Sequence, residues 1–359
     1  TGTVTQSAAI TAAGLELLGS GGTYTLTNTG NAITTLAGNT GTVSLVENSG
    51  FAIGTVNTVG FTAATSLTLS STGTVTQSNL ISTPSLLLLG TNGIYTLTNT
   101  SNAITTLAGN TGTVSLVENS GFAVGTISST VGLTTSGNTT LSSTGTVTQS
   151  AAITAAGLEL LGSSGTYTLT NTGNTVTNLA GNTGTVSFAG NSGFAIGTVN
   201  TVGLTTSGNT TLNTTGTVTQ SAAITAAGLE LLGTNGIYTL TNTSNAITTL
   251  AGNTGSVSFV ENSGFAIGTV NTVGLTTSGD LTLSSTGTVT QSQKIAAAGL
   301  ELLGTNGIYT LTNTSNAITT LAGNTATVSL VENSGFAIGT VNTVGLTTSG
   351  NTTLSSTGT

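Results

Sequence analysis

Nine carboxylates and one amine are the only charged side chains of this 359-residue chain. Eight of the acids fall at two recurring positions. Glu16, Glu159, Glu230 and Glu301 hold the first, and Glu47, Glu118, Glu261 and Glu332 hold the second. Asp280 stands alone, as does the amine of Lys294. Paired carboxylates are the machinery of glycoside hydrolysis, which needs two of them about 5 to 9.5 Å apart. Clustered carboxylates are also the hard oxygen ligands that Ca²⁺ requires. Neither pattern is complete. Leu87 replaces the first glutamate in one copy and Gly190 replaces the second in another, so a recurring pair would be broken twice. The Gly- and Asp-containing repeats of calcium rolls are missing as well. Both sets of carboxylates are therefore expected to be solvated groups that set solubility. Lys294 occurs once, where Gln293-Lys294 replaces Ala-Ala, and is expected to be solvated too.

The remaining inventory closes off other mechanisms. The chain has no His and no Cys, hence no thiol nucleophile, no His-based triad and no zinc ligand set. Its Gly-rich turns lack the Gly-Lys-Ser/Thr of a phosphate loop. The reading is that the chain is not an enzyme, with no catalytic, cofactor or metal residue to name and no cofactor required. A net charge of −8, with a single basic residue, leaves nothing to neutralise phosphates, so nucleic acid is not an expected partner. No apolar run approaches the 18 or more residues of a transmembrane helix.

The elements that must carry these residues are read from composition and repetition. Charged residues make up 3% of the chain, Gly supplies 52 residues and Pro84 is the only proline. Hydrophobic residues still make up 36%, with a mean hydropathy of +0.35, which separates the chain from disordered sequences. Val, Ile, Leu and abundant Thr are the residues of β-strands. The phrase Thr-Gly-Thr-Val-Thr-Gln-Ser opens at Thr1, Thr72, Thr144, Thr215 and Thr286, and a further copy opens at Thr357. The chain is thus one continuous array with repeats 1–71, 72–143, 144–214, 215–285 and 286–356, plus the start of a sixth at 357–359. Repeat 2 carries one extra residue, where Gly125 to Gly132 replaces Gly54 to Gly60.

Within a repeat, apolar–polar alternation marks strands with one buried face. These are Leu15–Leu18, Tyr24–Thr27, Asn31–Ile33, Val43–Leu45, Phe51–Ile53, Thr55–Val56, Leu67–Leu69, Thr74–Thr76 and Leu80–Ile81. Gly and Asn punctuate the corners between them. Near-identical units must make identical contacts with their neighbours, which stacked coils do and a sandwich does not. The expected fold is all-β, a right-handed parallel β-helix (β-solenoid). It has about three coils per 71-residue repeat, at Leu15–Gly38, Asn39–Thr65 and Ser66–Ser85, and about fifteen coils in total. At a coil spacing of ~4.8 Å that is a rod of roughly 70 Å, with equivalent positions three coils or ~14 Å apart. The tyrosine positions (Tyr24, Tyr95, Tyr167, Tyr238, Tyr309) and the phenylalanine positions (Phe51, Phe122, Phe194, Phe265, Phe336) are expected to fill core or corners. An aromatic glycan-binding stripe would need those rings to point outward.

Two phrases carry a resemblance. One is Gly-Asn-Thr-Thr-Leu-Ser-Ser-Thr-Gly-Thr-Val-Thr-Gln-Ser at Gly137 to Ser150, with the Asn213-Thr214 variant at Gly208 to Ser221. The other is Ala-Ile-Thr-Ala-Ala-Gly-Leu-Glu-Leu-Leu, as at Ala152 to Leu161. They resemble the repeats of filamentous-haemagglutinin-type exoproteins of two-partner secretion. The resemblance spans the chain. It implies a secreted, extracellular or surface-bound product of a Gram-negative bacterium and an outer-membrane two-partner-secretion transporter as export partner. It further implies a role as the structural shaft of an adhesin or of a biofilm-matrix fibre. Self-association, lateral or end-to-end, and glycan or cell-surface contacts are the other expected partners. Outward Thr-x-Thr pairs, Thr3/Thr5 and Thr25/Thr27, raise an ice-binding alternative, although Ser44, Val46 and Glu47 interrupt that ladder. A carbohydrate-active β-helix enzyme is the second alternative.

Overall fold

The structure, a computed structural model, describes residues 2–358. Thr1, where the first repeat opens, and Thr359, where the sixth breaks off, lie outside the described residues. Every described element is a β-strand or a turn. The strands stack in parallel as a β-solenoid of about 17 turns with about 21 residues per turn. The chain divides into two compact units between Thr177 and Asn178.

In the first unit the long strands are Thr11–Leu26, Ala32–Val46, Ile81–Leu97 and Ala103–Val117. Each covers two walls of the coil. Sequence reading broke them at glycines such as Gly19 and Gly22. In the structure the ladder continues through those glycines, with a shift of register between Gly19 and Thr23 and again between Gly90 and Ile94. A strand that turns a corner with a bulge keeps its backbone bonds on both sides. The second unit repeats this in Ile224–Leu240, Ala246–Val260, Ile295–Leu311 and Ala317–Glu332.

The turn count is about 17 rather than about fifteen because the repeat is not a whole number of turns. Register steps from Leu15 pass through Leu36 and Ile53 to Gln77. Gln77 is nine residues short of Leu86, the counterpart of Leu15 in the next repeat. Leu86 stands instead in the column Val4, Tyr24, Val43, Leu67, Leu86, Leu107, Val124. The third repeat returns to the first wall. Leu158 ends the column Phe51, Val75, Tyr95, Val114, Thr139, Leu158, and Phe51 shares its short strand with Ile53. Consecutive repeats therefore alternate between two walls, about three and a half turns apart. The coil boundaries Leu15–Gly38, Asn39–Thr65 and Ser66–Ser85 do not hold, because the steps vary from Leu15↔Leu36 to Leu36↔Ile53 and Ile53↔Gln77.

The second unit builds the same column: Phe194, Val218, Tyr238, Val257, Leu281, Leu300, Leu321, Ile338. Each column thus interleaves residues from successive repeats, and no repeat closes its core alone. The aromatic columns are core except at Tyr24 and Phe336, which are half-buried. Tyr95, Tyr167, Tyr238 and Tyr309 are fully buried, as are Phe122, Phe194 and Phe265 to within a few per cent. The Tyr95 hydroxyl donates to the Leu89 carbonyl (2.6 Å) and accepts from the Ser71 N–H (3.0 Å). Burial pushes that phenol well above its usual range. No outward aromatic stripe forms at these buried positions.

Candidate functional site

One set of glutamates is held inside turns and the other lies on strands beneath surface flaps, and the expectation that both sets are solvated is overturned. Glu47, Glu118, Glu261 and Glu332 are at most 1% exposed. Each belongs to a Glu-Asn-Ser-Gly turn. The Glu261 carboxylate accepts from the Ser263 N–H (3.1 Å), the Ser263 hydroxyl (2.5 Å) and the Gly264 N–H (2.7 Å). This turn shortens the following step to the seventeen residues between Thr249 and its partner Ala266. Gly264 takes φ of +99°, and a Cβ there would lie 2.3 Å from the Thr288 carbonyl oxygen. Only glycine meets both conditions. Burial raises the Glu332 carboxyl, but donors from Ser334, Gly335 and Ile318 outweigh it and hold the group below its usual range.

The first glutamate column clamps a surface flap. Thr55–Val56, read from sequence as a third strand, is instead part of a small loop closed by an antiparallel bridge between Thr55 and Val59. The flap reaches back to a strand more than forty residues earlier. Glu16 accepts from the Thr58 N–H (2.5 Å), the Thr58 hydroxyl (2.5 Å) and Asn57 Nδ2 (2.8 Å). Glu230 accepts from Thr272 N–H (2.5 Å), Thr272 Oγ1 (2.6 Å), Asn271 Nδ2 (2.7 Å) and Thr211 Oγ1 (2.8 Å). Glu301 repeats the pattern with Asn342, Thr343 and Thr282. Hydrogen bonds from Thr58 and then Asn57 hold the Glu16 carboxyl below its usual range. At Glu230 and Glu301 burial pushes the carboxyl up, and the flap and strand donors more than reverse it. A valine of the flap is seated on a glycine: Val270 Cγ2 lies 2.9 Å from where a Cβ on Gly228 would be.

Repeat 2 replaces this clamp as a set. Leu87 stands for the glutamate, and the longer flap turns Ile127 inward. Leu87, Ala108 and Ile127 form one apolar cluster. The extra residue allows the hairpin Thr126–Ile127 with Thr130–Val131, with Ser128 at φ of +54°. Leu87 and the insertion are thus one compensated change from a polar to an apolar clamp. Leu87→Glu alone places a carboxylate under Ile127 without the Asn-Thr donors. The expected result is loss of protection of residues 125–132 in hydrogen exchange, a local cost of roughly 1–3 kcal/mol. Protection returns when the loop is also replaced by Gly-Thr-Val-Asn-Thr-Val-Gly.

A third constellation escaped sequence reading. Asn245 is 3% exposed. Its Oδ1 accepts from Gln220 Nε2 and the Ile224 N–H (2.9 Å), and its Nδ2 donates to the carbonyls of Leu240 (3.2 Å) and Val260 (3.0 Å) and to Gln220 Oε1 (3.1 Å). Asn102 with Gln77, and Asn316 with Gln291, do the same. The signal was present: Gln and Asn stand 25 residues apart in every repeat, from Gln6 and Asn31 to Gln291 and Asn316.

Among the described residues the charged side chains that stay exposed are Asp280 and Lys294, and the rest of the exposed surface is neutral. No family model, curated protein or solved structure matches the chain. The outward Thr column runs Thr5, Thr25, Ser44, Thr68 and then meets Leu87. The flap that packs on Leu87 ends the ladder after four turns. A groove of about 740 Å³ in the second unit is lined by Thr206, Thr225, Ala246, Ser263, Phe265 and Thr290 among others, with no ionisable side chain. Among the described residues no group of three or more acids gathers that could hold a metal ion.

Proposed function

We propose that this chain is the structural shaft of a secreted bacterial surface adhesin or extracellular matrix fibre, non-catalytic and able to self-associate. The observation that carries the reading is the interleaved column, in which, within each unit, one repeat completes its core with residues of the next. Within each unit such a core transmits load from repeat to repeat. The glutamates with resolved partners close turns or fasten flaps, and the paired Asn and Gln side chains peg neighbouring turns together. Export by an outer-membrane partner, a surface location and contacts with glycans follow from the resemblance to filamentous-haemagglutinin-type repeats. An ice-binding face would need a longer uninterrupted threonine plane than the four turns below Leu87 supply. Catalysis on polysaccharide would need a free carboxylate pair, and the glutamates with resolved partners are each bound within their own turn or flap.

Electron microscopy over a range of concentrations tests the reading. Elongated particles that bundle side by side or join end to end as concentration rises are the expected result. Compact, well-separated globules at all concentrations would overturn it.

A further inference from the structure

We infer that the flaps at residues 54–60, 268–274 and 339–345 are acid-released latches, while the longer flap at 125–132 is a latch that ignores pH. The geometry rests on the contrast between the two clamps. In the first three flaps a single carboxylate gathers the donors that hold the loop down: Glu16 for Asn57 and Thr58, Glu230 for Asn271 and Thr272, Glu301 for Asn342 and Thr343. In the fourth, Leu87, Ala108 and Ile127 make the contact and nothing in it titrates.

Beneath the closed flap lies an alanine that faces outward yet is fully buried. Ala251 is in register with Glu230, and Ala322 with Glu301, and both are 0% exposed. Opening therefore uncovers an apolar stretch that the neutral-pH surface hides. Protonation removes the charge that makes these hydrogen bonds strong. The carboxyls of Glu16, Glu230 and Glu301 lie below the ordinary value of 4.5 in the closed form. A depressed folded value means that the latch is at full strength above about pH 4.5 and weakens as pH falls through the closed-state value.

The other charged groups near these flaps are few. Around Glu230 the packed strands bring Thr211 and Ala251, and the Lys294 side chain lies beside Gly274 at the flap's end. Around Glu301, Asp280 Oδ1 lies beside Gly299, under Val341. At Glu16 the neighbouring strand brings Ala37 and no charge. The flap at 54–60 is therefore the cleanest reporter.

Hydrogen exchange of the full chain, read flap by flap from pH 6 to pH 3 and corrected for intrinsic rates, tests the latch. Flaps 54–60, 268–274 and 339–345 are expected to lose protection by up to about tenfold per pH unit below the open-state pKa, while flap 125–132 holds steady. Glu230→Gln is expected to leave flap 268–274 less protected at pH 6 and insensitive to pH. Protection that is independent of pH in the three polar flaps would overturn the inference. So would a parallel loss in flap 125–132, which would mark general unfolding, or an unchanged pH profile in Glu230→Gln.

Discussion

Replacing Asn245 by Leu is expected to destabilise the second unit by about 4 kcal/mol, the cost of several buried polar groups left without partners. Leucine keeps asparagine's branching and number of side-chain heavy atoms, so the main loss is one of hydrogen bonds. The Ile224 N–H, the carbonyls of Leu240 and Val260 and the Gln220 amide all converge on this one side chain. They belong to three neighbouring turns, so the carboxamide acts as a peg through the stack. An unpaired backbone group inside the coil cannot turn to water without breaking the ladder beside it. Hydrogen exchange should locate the damage at residues 220–224, 240–246 and 260. Denaturant titration should show an early transition, because solenoids lose cooperativity where one interface weakens. A control, Asn253→Ser, alters an exposed position and should stay within about 0.5 kcal/mol of the parent. If Asn245→Leu did the same, the peg would be filler.

The pegs explain both what was legible in the sequence and what was not. Strand alternation and glycine corners report local geometry, and they led to the right fold class. The number of residues per turn is a property of the stack. Leu15 and Leu86 hold the same position in successive repeats, yet they sit on different walls, because three steps from Leu15 end at Gln77. Identity between repeats suggested ladders of like residues, whereas the ladders are mixed. The buried glutamates were read as solvated because an acid without a basic partner ordinarily seeks water. Here backbone N–H groups, hydroxyls and carboxamides take the place of the missing cations, which the one-dimensional pattern does not display. Thr55–Val56 alternates like a strand and pairs like one, but with Val59 of its own loop. The pairing of Leu87 with the insertion at 125–132 was visible as two departures in one repeat, and only their contact shows that they are one.

Glu261→Ala is expected to cost about 3 kcal/mol, since it removes charge-assisted bonds and strands two N–H donors. The Ser263 and Gly264 amides point into the turn at the place the carboxylate fills, and alanine offers them nothing. Repeat 3 supplies a natural comparison. It has Ala189-Gly190 where repeat 4 has Val260-Glu261. There the Phe194 ring closes in, with Cδ1 3.0 Å from the place a Cβ on Gly190 would occupy. The turn glycine also changes state. Gly50, Gly121, Gly264 and Gly335, which follow a glutamate, take φ between +91° and +100°, while Gly193 is not among the residues of positive φ. The carboxylate therefore holds the left-handed turn in place, and without it the chain adopts another. The double change Val260→Ala with Glu261→Gly recreates the repeat 3 sequence around the ring of Phe265, which already meets Phe259 edge-on at 5.2 Å as Phe194 meets Phe188 at 5.1 Å. It should recover at least half of the stability lost in Glu261→Ala, measured by the midpoint of denaturant unfolding. A double variant no more stable than the single one would mean that the turn of repeat 3 depends on residues outside the segment, and that the glutamate is not the switch between the two turns.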